Sequence, residues 1–188
     1  EKCLPDQSGK LQSVSGLCVS EDENLIQLIT AKDIMNVYGR SGFLHYDITD
    51  NEIFVSFLRK SHKLKVADID SFAFHIASQK EFLQKKTLTY FPSLYRFLAL
   101  HPRLWDHTHK GRYYNLRHKA IIPDKGKHLT APFSDNDKPQ IFIGKAASGF
   151  SVVHPELSSN ADCMNFFSML GIPDFAPGLS EANNLFRR

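Results

Sequence analysis

Ile121-Ile122-Pro123-Asp124-Lys125-Gly126-Lys127-His128-Leu129 sets turn formers between apolar flanks. Proline presets one turn dihedral, Asp bonds back to its own backbone, and Gly accepts a positive φ, so the stretch predicts a β-hairpin. A near copy stands at the start of the chain as Cys3-Leu4-Pro5-Asp6-Gln7-Ser8-Gly9-Lys10-Leu11. The shared pattern is apolar, Pro, Asp, x, Gly, Lys, apolar, with one residue fewer between Asp and Gly in the second copy. It is read as an internal repeat and predicts two related subdomains, 1–86 and 87–188.

Between and after the hairpins the apolar spacing turns helical. Leu88 to Leu100 carries Phe91, Leu94, Tyr95, Leu98 and Ala99 on one stripe, and Pro92 fits only in a first turn, which starts the helix near Tyr90 or Phe91. Ile53, Phe54, Phe57 and Leu58 predict a second helix, and Ile69, Phe72, Ala73 and Ile76 a third behind Asp68 as N-cap. Ala161 to Leu170 reads as a helix closed by Gly171, and a last one starts near Ser180. Leu25 to Val37 is apolar at mixed spacing and fits helix or strand. Lys119–Pro123, His128–Ala131 and Gln140–Gly144 read as strands of one small antiparallel sheet. The fold class expected is α+β, helices flanking small antiparallel hairpin units. The expected core is Phe91, Leu94, Leu98, Trp105, Ile122, Phe142, Val152, Phe166, Phe167 and Leu170.

The composition supports a folded chain: of 188 residues, 42% are hydrophobic, 12% aromatic and 23% charged. No apolar run reaches membrane-spanning length and no signal-peptide pattern opens the sequence, so the expected location is the cytoplasm, with no membrane partner. Cys3, Cys18 and Cys163 are an odd number without CxxC spacing, which argues for reduced thiols over a disulfide framework or a zinc knuckle. The missing initiator Met and the apolar Leu185-Phe186 pair before Arg187-Arg188 fit a piece of a larger protein.

None of the candidate chemistry assembles into a self-contained active site. His101, His107, His109, His118 and His128 are potential metal ligands, but no carboxylate or Cys stands at ligand spacing beside them, and no metal is expected. Gly144-Lys145-Ala146-Ala147-Ser148-Gly149 has the pieces of a phosphate loop in the wrong order and reads as a linker. Asp68 with Asp70, and Asp47 with Asp50, stand where carboxylates stabilise helix starts. No GxSxG elbow occurs, so neither an enzyme nor a cofactor is expected. Charge is distinctive at 101–128, where seven Lys and Arg face Asp106 and Asp124, net +5 in a chain of net +3. Trp105 and two tyrosines interleave with those bases. Lys110, Arg112, Tyr113, Tyr114, Arg117 and Lys119 are therefore candidate nucleic-acid contacts.

One resemblance bears on function. Ser93-Leu94-Tyr95-Arg96-Phe97-Leu98, His101 to Trp105, Lys119 to Phe133, Lys138 to Ile143, Phe150 to Leu157 and Phe166 to Ile172 follow one another in an order that resembles the region downstream of the ATPase domain in sacsin-like proteins. The ATPase of that family is related to those of heat-shock chaperones, gyrase and histidine kinases. The resemblance covers Leu88 to Leu179. It implies a non-catalytic interaction or coupling module of a chaperone-like ATPase, with the ATPase domain of the same chain and protein clients as partners. No DxGxG turn occurs, so no nucleotide-binding residue is carried over. The alternative is a nucleic-acid-binding module built on 101–128.

Overall fold

Asp6 and Asp124 organise two hairpins of the same construction. In the computed structural model, which describes residues 3–106, 115–144 and 149–175, β1 (Leu4–Pro5) pairs antiparallel with β2 (Leu11–Gln12). The Asp6 carboxylate accepts from the Ser8 and Lys10 N–H groups at 2.9 and 3.1 Å. In the second copy the Asp124 carboxylate accepts from Gly126 and His128 at 2.8 and 2.9 Å. Both Asp residues also donate their own N–H four residues on, to the Lys10 and His128 carbonyls. The turns are thus equal in length, and the expected one-residue deletion is a shift of the glycine within a turn of constant size. Gly9 takes the left-handed position at φ 82°, whereas Lys127 occupies it in the second copy at φ 64°. A left-handed lysine costs about 1 kcal/mol that glycine avoids.

The chain divides into two compact units, Glu1–Phe72 and Ala73–Arg188. In the first, β3 (Leu17–Val19) is the middle strand. After it come α1 (Glu23–Leu28), capped by Asp22, and α2 (Ala31–Tyr38), which opens on a Thr30–Asp33 capping box. Those two caps resolve the ambiguous 25–37 stretch into two short helices. β4 (Gly42–Phe43) then runs parallel to β3. α3 (Tyr46–Thr49) and α4 (Glu52–His62) follow, and β5 (Lys65–Val66) returns parallel on the other side of β3. Leu17, Val19, Leu44, Val55, Leu58 and Leu64 form the core. α5 (Ile69–Ser78) comes next, its first turn capped by the Asp68 carboxylate, which accepts from the Ser71 N–H at 2.7 Å.

The second unit adds α6 (Lys80–Gln84) and α7 (Phe91–Leu100), with Pro92 in the first turn as expected. β6 (Ile122–Pro123) and β7 (Leu129–Thr130) make its hairpin. The third extended run does not complete an antiparallel sheet: β8 (Ile141–Phe142) pairs parallel with β9 (Ser151–Val152). α8 (Pro155–Ser158) leads to α9 (Ala161–Leu170), which Gly171 ends in the left-handed conformation. Nine of the ten expected core residues are buried, and Val153 takes the place expected of Val152. Strand pleating turns successive side chains to opposite faces, so a one-residue offset exchanges which valine is inside. The fold is α+β, with antiparallel hairpins and short parallel pairs side by side.

The repeat extends well beyond the hairpins. Leu44 donates to the Cys18 carbonyl and Val153 to the Phe142 carbonyl; His45 donates to Pro5 and His154 to Pro123. Each histidine then caps the following turn through Nδ1, which accepts from Asp47 at 3.4 Å and from Glu156 at 3.3 Å. Asn51 caps α4 and Asn160 caps α9 at the same spacing from those histidines. Finally, Pro173 and Asp174 accept from Ile143 and Gly144, the place that β5 takes beside β3 in the first unit. Gly144 is required there, because a Cβ would lie 2.7 Å from the Asp174 carbonyl oxygen.

Candidate functional site

Of the six basic and aromatic residues singled out in 101–128, Lys110, Arg112, Tyr113 and Tyr114 lie outside the described residues. Arg117 follows the turn capped by Asn115 and points inward, only 5% exposed. Its guanidinium donates to the Asp137 carboxylate at 3.0 Å and to the Leu170 carbonyl at 2.7 Å, and lies 3.6 Å over the Phe133 ring. Planar delocalised charge suits this mixture of partners, and the residue ties the 117–137 segment to the end of α9. Lys119 is half-buried.

The histidines are dispersed. His107 and His109 lie outside the described residues, His118 Nδ1 is 2.8 Å from the Ser134 carbonyl, and His128 stands by Asp124. Among the described residues no three His, Cys, Asp or Glu side chains converge. None of the described helices is long and apolar enough to cross a membrane. Residues 145–148 of the linker lie outside the described residues; Asp47 and Asp70 fall in the first turns of α3 and α5, and Asp50 ends α3.

A feature that the sequence reading left without a role is the outer side of α4. Its helical spacing groups Ile53, Phe54, Phe57 and Leu58, but only Leu58 enters the core. Ile53 is 86% exposed, Phe57 51% and Phe54 37%. The Phe54 and Phe57 rings stack with centroids 6.5 Å apart. Together with Cys3, Leu4, Val14 and Leu58 they border an apolar groove of about 430 Å³, within the range of pockets that hold small ligands or side-chain anchors. The sequence signal was present in the width of the stripe: α4 offers more apolar surface than the Val55–Leu58 contact with its own core uses.

The three thiols differ with their surroundings. Burial pushes Cys18 and Cys163 up to about 12, so both stay protonated at neutral pH, whereas Cys3 is exposed at the groove. No protein-family model, curated protein or solved structure matches this chain.

Proposed function

We propose that this chain is a non-catalytic protein-interaction module, working in the cytoplasm as a coupling segment of a larger chaperone-like ATPase of the sacsin-like kind. The observation that carries the interaction reading is the band of Ile53, Phe54 and Phe57 along α4 beside an apolar groove. Grouped apolar surface of this kind typically marks a protein-binding face, whereas scattered exposed residues carry no such meaning. Aromatic side chains lose little rotamer freedom on contact and are favoured as anchors. The ATPase connection rests on the order of segments between Leu88 and Leu179 described above.

The isolated chain is then expected neither to bind nor to hydrolyse ATP, while its removal from the intact parent changes the parent's turnover. ATPase assays on the parent with and without this segment test the reading. Unchanged turnover and unchanged client binding would contradict it.

A further inference from the structure

The groove of the first unit is lined by positions that each have a counterpart in the second unit. By the hairpin correspondence, Cys3 and Leu4 stand where Ile121 and Ile122 stand in the second unit. By the spacing that runs from His45 and His154 through Asn51 and Asn160, Ile53, Phe54, Phe57 and Leu58 stand where Asp162, Cys163, Phe166 and Phe167 stand. In the second unit, Ile121, Phe166 and Phe167 of this set all meet one side chain, Tyr95 of α7, which is fully buried, with Cys163 close by. Its ring stacks on Phe166 at 5.1 Å and meets Phe167 at 5.2 Å, and its hydroxyl donates to the Ile121 carbonyl at 3.0 Å. Burial, reinforced by the neighbouring Cys163, raises the Tyr95 hydroxyl well above the ordinary tyrosine range and keeps it a donor. Phe91 and Leu98, one turn to either side, are buried with it, and Arg96 pairs with Asp162. The groove of the first unit is therefore the counterpart of the Tyr95 seat.

We propose that the groove beside α4 is a docking site for an amphipathic partner helix with a central tyrosine, seated as α7 is seated against α9. The tyrosine ring enters between Phe57 and Leu58, and its hydroxyl donates to the Cys3 carbonyl. Apolar residues one turn before and after it lie along the Phe54 side of the groove. The residue following the tyrosine is apolar, because it meets Ile53 where Arg96 meets Asp162. Helix-in-groove recognition of this kind reads anchors at i, i+3, i+4 and i+7.

This inference rests on the interaction-module reading and adds the identity of what the module holds. Its test uses the whole 188-residue chain and, as probe, a fluorescein-labelled peptide of residues 87–105, read by anisotropy. Saturable binding is expected, and the Arg96→Leu peptide binds more tightly than the parent peptide, by about threefold to tenfold. Changing Ile53→Asp in the chain recreates the Asp162 environment and reverses that preference. Tyr95→Phe in the peptide weakens binding by about threefold to tenfold, the loss of one hydrogen bond. The Ile53→Asp arm separates this groove from the second unit's own seat, where Asp162 is unaltered. No binding up to about 1 mM peptide, or a preference for Arg96→Leu that survives Ile53→Asp, would overturn the proposal. If the peptide fails while removal of the segment still alters parent turnover, the docking helix falls and the module stands. If it binds while turnover is indifferent, the ATPase coupling falls and the groove keeps its occupant.

Discussion

α9 and α4 begin alike and end with opposite surroundings. Each follows a histidine-capped turn, each is capped by an asparagine, and each ends in a left-handed residue, Gly171 in one and Lys63 in the other. α9 buries Cys163, Phe166, Phe167 and Leu170, with Tyr95 of α7 and Trp105 packed on its aromatic face. Among its described side chains α4 buries only Val55 and Leu58, and Ile53, Phe54 and Phe57 stay on the surface. Caps and turn chemistry are local and fix where a helix starts and stops. Whether its second face is buried is decided by a distant element, here α7 in the second unit. Asp162 and Ile53 record that difference in a single residue type.

The contrast is broken or sharpened first by core truncation. Phe166→Ala removes a ring packed against Tyr95 and Trp105 and is expected to cost about 3–5 kcal/mol in urea unfolding, whereas Phe57→Ala, at its exposed counterpart in the first unit, stays within about 1 kcal/mol. Equal losses would mean that the α4 face is core after all. Next in size is Arg117→Ala, expected to lose about 2–3 kcal/mol by leaving the buried Leu170 carbonyl without its donor and removing the buried guanidinium's pairing with Asp137. Arg117→Lys should recover little, since one ammonium cannot serve both acceptors and the Phe133 ring.

The hairpin aspartates come third, with Asp6→Asn and Asp124→Asn each costing about 1 kcal/mol at neutral pH. For Asp6, burial works against the charged form, but hydrogen bonds from Ser8, Gln12 and Lys10 outweigh it and hold the carboxyl below the ordinary range. A lowered folded value means stabilisation that is full above the unfolded value near about 4 and is lost as pH falls through the folded one. The gap between the native chain and Asp6→Asn should therefore close below about pH 4, which unfolding at a series of pH values measures. The smallest effects belong to the shifted glycine. Lys127→Gly should stabilise by up to about 1 kcal/mol and Gly9→Ala destabilise by a similar amount, both read from thermal melts.

The sequence made the elements with strong punctuation legible. A Pro-Asp pair followed closely by Gly marked both hairpins, Pro92 marked the start of α7, and Gly171 marked the end of α9. It hid what depends on pairing at a distance. The parallel pairing of Ile141–Phe142 with Ser151–Val152 follows from no local signal, since a short apolar run reads the same in parallel and antiparallel sheets. The length of the second hairpin was misread because glycine was taken as the fixed point, whereas the Asp carboxylate sets the register and a lysine tolerates the left-handed position. At the surface, charge density drew attention to Arg117, whose guanidinium serves the fold, and helical spacing marked α4 without showing that Ile53 and Phe57 stay outside a core that takes only Leu58 of that stripe. The histidine and asparagine caps shared by the two units are legible only once the units are superposed in structure, because the intervening segments differ so much in length.

That matching positions face an open groove in one unit and a filled one in the other is tested most directly by thiol reactivity. Cys3 and Ile121 are counterparts, one exposed and one buried beneath Tyr95. N-ethylmaleimide at neutral pH should modify one thiol of the native chain rapidly, at Cys3, with Cys18 and Cys163 reacting only on unfolding. In a Cys3→Ser chain carrying Ile121→Cys, the thiol at 121 should react at least about a hundredfold more slowly than Cys3. Comparable rates at the two positions would contradict the correspondence between the groove and the Tyr95 seat.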